Sequence, residues 1–294
     1  MRFSKLSIFL AVSCAGATFV ACSPFDEGTP ADSGPPTNPP VDATTQDDAS
    51  GGDDSTSDAD ATTVEDVVMT GEDAASIPRF SFFYTSLAAM RRLSGSDNGF
   101  GGDLRFGMPT GIEGADKICQ TIAADIGFGA KTWRAFLSAT RGPDGQVVHA
   151  IDRIGEGPWY DRKGRIVAQD KIGLLRDRPL GDPEVVNDLP DETGDGTSPL
   201  GSTYDAVTGT NRQGRLYYTD PRNTCLDWTN NTLENVLVMC GHSWLATGIS
   251  HWAEAHPERS CRPGVNIMSG GVSDGSSIGA GGGWGGFYCF ALTP

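Results

Sequence analysis

Residues 23–78 carry 14 Asp and Glu side chains and not one Lys or Arg, with Pro-Pro, Gly-Gly and Asp-Asp pairs and almost no aromatics. Such a stretch cannot bury enough apolar surface to offset its chain entropy, and its like charges repel. It therefore divides the chain, because whatever folds must lie outside it. The 294 residues have a formal charge of −16, from 38 acidic and 22 basic groups. Subtracting the 14 acidic groups of the tract, and Arg2 and Lys5 before it, leaves 24 acidic and 20 basic groups, a net −4, for residues 79–294. A nearly balanced body argues against a basic nucleic-acid footprint and against capture by anionic lipid. Its 216 residues can bury a real core, as one large domain or two small ones. The chain has 39 Gly and a hydrophobic fraction of 38%, which favours a loop-rich fold over a helical bundle.

The N-terminus reads as an export signal. Arg2 and Lys5 give a positive start, and Leu6 to Val20 form an apolar stretch too short to span a bilayer comfortably. The stretch ends in Phe19-Val20-Ala21-Cys22, which resembles the bacterial lipobox, whose Cys is lipidated and becomes residue one. This predicts a lipoprotein signal over 1–21 and a lipidated Cys22 heading a disordered acidic tether over 22–78. The competing site, cleavage after Ala15-Gly16-Ala17, would use only part of the apolar run and leave Cys22 a bystander. Ser23 rather than Asp follows Cys22, which by the habit of such lipoproteins suits delivery to the outer membrane. As a flexible coil, the tract has a reach of roughly 40 Å, lengthened by its self-repelling carboxylates.

The body, 79–294, contains Cys119, Cys225, Cys240, Cys261 and Cys289. An exported chain meets an oxidising compartment, so disulfides are the first expectation; five is odd, one thiol is left over, and spacing alone allows many pairings. Arg79 to Leu87 is short and aromatic, hence a strand, followed by a Gly/Ser/Asp-rich loop over 94–111. Ala115, Ile118, Cys119, Ile122 and Ala123 recur at helical spacing, which predicts an amphipathic helix over 112–125 with Cys119 on its buried face. Thr132 to Ala139 alternates as a strand, and Trp159-Tyr160 with Arg165 to Ala168 reads as a hairpin. Residues 180–203 are turn-rich and acidic. Short strands are expected near 205–210, 224–229 and 235–240, and an apolar strand over 287–292 closes the chain. One early helix with many short strands and long loops is an α+β pattern.

Gly114-Ala115-Asp116-Lys117-Ile118-Cys119-Gln120, Trp133 to Ser138, and Asp152-Arg153-Ile154-Gly155-Glu156-Gly157-Pro158-Trp159-Tyr160 are motifs of one kind of domain. Thr208-Gly209-Thr210, Thr224-Cys225-Leu226-Asp227-Trp228, Gly241-His242-Ser243 and Phe287-Tyr288-Cys289-Phe290 continue the match. Together they resemble the endostatin-like, C-type-lectin-like domain of unassigned function found in bacterial lipoproteins of myxobacterial and leptospiral type, over about 79–294. The resemblance implies several short antiparallel strands and nested disulfides. Cys119 would pair with Cys289 and close the domain, Cys225 with Cys261 would bridge the long-loop region, and Cys240 would be left over. By the chain-entropy model, a bridge across so long a loop is worth roughly 5 kcal/mol. Cys240, in the run Val236 to Met239, reads as a buried inert thiol.

Chemistry-bearing motifs are few. Gly271-Val272-Ser273-Asp274-Gly275 matches a nucleophile elbow, but no His, Asp or Glu follows it to complete a triad. Gly281, Gly283 and Gly286 fit a dinucleotide-binding pattern, but a strand follows where a helix should open. His242, His251 and His256 lie close in sequence between Cys240 and Cys261, and zinc favours such ligands, but their spacing fits no familiar template; the competing reading is that His242 and His256 hold loops by hydrogen bonds. Asn187, Asp188, Asp191, Glu192 and Asp195 bunch in one loop with Gly194 and Gly196. Calcium takes such oxygen-rich loops, and a solvated turn is the competing reading. The Glu-Pro-Asn, Gln-Pro-Asp and Trp-Asn-Asp motifs of calcium-dependent sugar binding are absent from the sequence. Trp244, Trp252 and Trp284 sit in the Gly-rich C-terminal region as candidates for an exposed stacking face that needs no metal.

The expectation is thus a cell-envelope lipoprotein, membrane-bound through its lipid, that recognises a carbohydrate or protein ligand through loops. Catalysis and a cofactor are not expected, calcium being the one metal to consider. The alternative is a structural envelope protein with no dedicated ligand.

Overall fold

The computed structural model of the chain describes residues 79–196, 204–246, 251–268 and 272–294. The signal segment, Cys22 and the acidic tether lie outside them. No helix among the described residues is long and apolar enough to cross a membrane.

The aromatic run at 80–84 forms β1 (Phe82–Tyr84), all of it buried. The strand ends sooner than the sequence predicts. The Ser86 hydroxyl accepts the Ala89 N–H at 3.1 Å and caps α1 (Leu87–Ser94), which stops at Gly95 in the left-handed conformation. This helix was not expected, although Leu-Ala-Ala-Met-Arg-Arg-Leu is a run of strong helix formers behind a Ser cap. The expected amphipathic helix is α2 (Gly111–Asp125), opened by a capping box between Thr110 and Glu113. Its Ala115, Ile118, Cys119, Ile122 and Ala123 are all buried.

The last strand of the chain is the middle of the first sheet. β9 (Tyr288–Ala291) lies antiparallel between β1 and β2 (Trp133–Ala135), so that Cys289 faces Phe83 on one side and Ala135 on the other. A disulfide from Cys119 to Cys289, with 5.6 Å between Cα atoms, ties α2 to this central strand. One turn earlier on α2, the Asp116 carboxylate accepts from Ala135 N at 2.9 Å, Arg134 Nη1 at 2.9 Å and Arg153 Nη2 at 2.7 Å. That carboxylate joins the helix, β2 and the short helical turn Ala150–Arg153. Phe80, Phe82, Phe83, Trp133, Phe136, Trp252, Tyr288 and Phe290 fill the core around β9. β3 (Trp159–Tyr160) and β4 (Ile166–Ala168) pair as the expected hairpin.

A second sheet runs in the order β7-β6-β5-β8, from β5 (Asp205–Val207), β6 (Glu234–His242), β7 (His256–Ser260) and β8 (Gly283–Gly286). The β5–β6 and β6–β7 pairs are antiparallel and β5–β8 is parallel. The sequence reading missed both edge strands: β7 reads His-Pro-Glu-Arg-Ser and β8 reads Gly-Trp-Gly-Gly. Proline is tolerated on an edge, where its missing N–H faces away from the ladder. The class is α+β, with short, mainly antiparallel sheets and two disulfides.

The expected strand at 224–229 is instead a left-handed turn. Cys225, Leu226, Asp227 and Trp228 have φ of 52°, 54°, 57° and 64°. L-residues pay roughly 1–2 kcal/mol each for that conformation, so the surroundings must impose it. The Cys225–Cys261 disulfide fixes one end. Asp227 accepts from Thr140 N at 2.6 Å and Thr224 Oγ1 at 3.0 Å, and the buried Trp228 donates from Nε1 to Ser138 O at 2.9 Å. Leu226 has no such anchor and is 40% exposed. Leu226→Gly should relieve its strain and, after glycine's entropic cost, stabilise the fold by roughly 0.5–1 kcal/mol in urea unfolding. A destabilised variant would show that Leu226 packing outweighs the strain.

Candidate functional site

Side chains alternate faces along a strand, and directly opposed residues share a face. Asp205 on β5 is opposite His242 on β6. Cys240, two residues back on β6, is opposite His256 on β7, and Glu258 follows two residues on. The pleat therefore gathers Asp205, His242, Cys240, His256 and Glu258 on one side of the sheet, from segments far apart in sequence.

Asp205 Oδ1 lies 3.2 Å from His256 Nε2 and 3.4 Å from His242 Nε2. The two imidazole rings meet edge-on with centroids 5.1 Å apart. One donor atom from each of Asp205, His242 and His256 lies within 4.8 Å of the others, the one such trio of His, Cys, Asp or Glu groups among the described residues. Asp205 is 3% exposed, and its Oδ2 has no hydrogen-bond partner; neither has His242 Nδ1. Glu258 is fully buried, accepting from Ser273 Oγ at 2.6 Å and from Gly281 N at 3.0 Å. A Cβ on Gly281 would sit 2.2 Å from Glu258 Oε1 and 2.8 Å from Asp205 Oδ2, so only glycine fits there. An open groove of about 450 Å³, lined by His256, Pro257, Arg259, Val272, Ser273 and Gly281, leads from solvent to this cluster.

Burial drives the electrostatics. It pushes Glu258 up to about 7, with the negative Asp205 acting in the same direction and the Ser273 hydrogen bond opposing. The hydrogen bond with Asp205 raises His256, whereas burial lowers His242. Burial also raises the Cys240 thiol well above its usual value, so this free cysteine is inert as a nucleophile. Two imidazole nitrogens and a carboxylate oxygen are metal-ligand types, and apart from a metal they make an ion pair of His256 with Asp205.

Two larger grooves, of about 630 and 600 Å³, lie elsewhere. Their arginines are already paired: Arg105 with Asp103 in the first, and Arg134 and Arg153 with Asp116 in the second.

The residues singled out from sequence fare differently. Cys119–Cys289 and Cys225–Cys261 are the disulfides, and Cys240 is free and buried. The exposed tryptophan face is overturned at two of its three positions. Trp252 is fully buried against Phe136 and Tyr288. Trp284 is 5% exposed, packs on Tyr84 and Tyr204, and donates from Nε1 to Thr85 O at 2.9 Å. Glycine neighbours suggested exposure, but they allow close packing: a Cβ on Gly286 would meet Trp284 Nε1 and one on Gly241 the Trp252 carbonyl. Trp244 is half-buried and bridges to Asp188 through backbone. In the acidic loop, Asp191 accepts from Thr193 N and Oγ1 at 2.9 and 2.6 Å. Glu192 accepts from Ser86 N at 2.9 Å. Asp188, Asp191, Glu192 and Asp195 form no trio of converging ligand atoms. Nothing in the sequence marks Asp205, because only strand pairing brings it to the histidines.

Comparison with protein-family models, with curated proteins and with solved structures finds no match for this chain.

His251 stands apart from the cluster. Its Nδ1 accepts the N–H groups of Ala253 at 3.0 Å and Glu254 at 3.2 Å, and burial, assisted by Arg212, lowers it to about 4. An unfolded histidine titrates near 6.5, so on acidification the unfolded state takes up the proton first. The stability His251 contributes is intact above about pH 6.5 and is lost by about pH 4, about 3 kcal/mol in all. His251→Asn keeps an acceptor near the Nδ1 position but does not titrate. Its urea midpoint should therefore fall less than the wild type's over this interval, and parallel pH profiles would refute the assignment.

Proposed function

We propose that the chain is an exported lipoprotein, anchored in the cell envelope through Cys22 and displayed from the outer membrane on its acidic tether, with a C-type-lectin-like domain that recognises a carbohydrate or protein ligand. The observation that carries recognition is the connection between β7 and β8. It presents Ile267, Met268 and Val272 to solvent at 38%, 71% and 72% exposure, and Val272 lines the groove beside His256 and Arg259. Large apolar side chains grouped on a loop next to charged groups mark a contact surface, particularly where a rigid scaffold holds the loop. The scaffold here is doubly braced: the Cys225–Cys261 bridge ends at the start of this connection and Cys119–Cys289 closes the domain. That pairing is the one the family resemblance implies, which supports the C-type-lectin-like reading. The absence of the calcium-sugar motifs from the sequence makes the contact one of loop shape and apolar surface.

The test is retention of ligand by the full chain on glycan arrays and in pull-downs from envelope extracts. Met268→Asp and Val272→Asp should each weaken binding roughly tenfold or more while leaving the thermal midpoint unchanged, since both side chains are on the surface. A wild-type chain that retains neither glycan nor protein would sink the recognition reading and leave the structural alternative. Anchoring is checked separately, by loss of fatty-acid labelling in Cys22→Ala.

A further inference from the structure

We propose that Asp205, His242 and His256 form a binding site for one divalent transition-metal ion of the zinc class, with a coordination position open to the groove. The site stands independently of which ligand the neighbouring loop binds.

Geometry is the first ground. Two imidazole nitrogens converge on the same carboxylate oxygen at 3.2 and 3.4 Å. Charge-assisted hydrogen bonds between such groups are shorter, about 2.7–2.9 Å. A tetrahedral ion with metal–nitrogen and metal–oxygen bonds of about 2.0–2.1 Å separates its ligand atoms by roughly 3.3–3.4 Å. The two spacings to Asp205 match those of a ligand shell, and the three donor atoms lie within 4.8 Å of one another.

Charge is the second. Asp205 and Glu258 are two buried carboxyl groups that crowd the same missing Cβ of Gly281. Among the described residues neither has a Lys or Arg ion pair; Asp205 faces His242, His256 and the Glu258 carboxyl. Buried carboxylates need a compensating cation or hydrogen bonds. Asp205 Oδ2, on a residue 97% buried, has no N–H or hydroxyl donor; the Asp205 carboxyl meets a second carboxyl, Glu258, instead, and a divalent ion supplies the missing charge.

The donor set selects the ion. Two imidazoles and one carboxylate suit zinc or iron(II), whereas calcium takes six to eight oxygens. His256 is 37% exposed and lines the groove, so the three protein ligands leave a position to water or to a donor group from outside. Glu258, held by Ser273 and Gly281, adds a second buried carboxyl beside Asp205. Three adjacent strands carry the ligands, so the ion would also clamp β5, β6 and β7 together.

The experiment uses the full-length chain, disulfides formed, carrying no polyhistidine tag and stripped with chelator. Zinc added in titration calorimetry should bind at one equivalent, and at about 100 times its Kd should raise the thermal midpoint by roughly 5–10 °C. Cobalt(II) as a spectroscopic probe should give visible ligand-field absorption of a tetrahedral or five-coordinate ion, without a thiolate band, that zinc abolishes. His256→Gln, at the most exposed ligand, should keep the fold and both disulfides yet weaken zinc binding roughly 100-fold or more. Asp191→Asn in the acidic loop should leave zinc binding unchanged. No one-equivalent zinc binding by the wild type, or binding that survives His256→Gln, overturns the proposal.

Discussion

The fold depends on the position of its last strand. β9 pairs with β1 on one side and β2 on the other, so the first sheet is incomplete until the C-terminus arrives. The cost is the closure entropy of nearly the whole domain. It is offset by burial of Phe82, Trp133, Phe136, Tyr288 and Phe290 around that strand, and by a covalent link from Cys289 to α2. Asp116 holds α2 on β2 from the same side, through two arginines and a backbone N–H. Helix, sheet and disulfide thus converge on a few residues of one strand.

The second sheet shows how a fold makes a site from residues that are unremarkable in sequence. β6 is long and mostly apolar, while its neighbours β5 and β7 bring Asp205, His256 and Glu258. Antiparallel register and period-two alternation put these groups on one face, and Gly281 lets the backbone come close enough to bond Glu258. Nearby, the second disulfide holds a turn of four left-handed residues. Two buried polar atoms without partners, Asp205 Oδ2 and His242 Nδ1, belong to strands of this second sheet.

Helix α2 was legible because its apolar spacing, its Thr110–Glu113 cap and its length all agree. The β3–β4 hairpin and the final strand were legible for the same reason: pattern and turn chemistry pointed one way. Helix α1 was missed although Ser86 marks its start, because the aromatic run before it dominated the reading. β7 was missed because its residues have no strand propensity; pairing with β6 alone makes it a strand. The tryptophans misled for a related reason, since glycine-rich neighbours can mean exposure or close packing, and only burial separates the two.

What the sequence determined by itself was what depends on composition and local periodicity: a sharp change in charge between the N-terminal tract and the body, the α+β class, and a buried helix bearing Cys119. The disulfide pairing entered through the motifs that resemble a known kind of domain, not through spacing. The tertiary structure alone decided where β9 lies, which tryptophans are core, and that Asp205 stands between His242 and His256. Those facts depend on strand order and register, which arise from contacts between distant segments and leave no mark on any one of them.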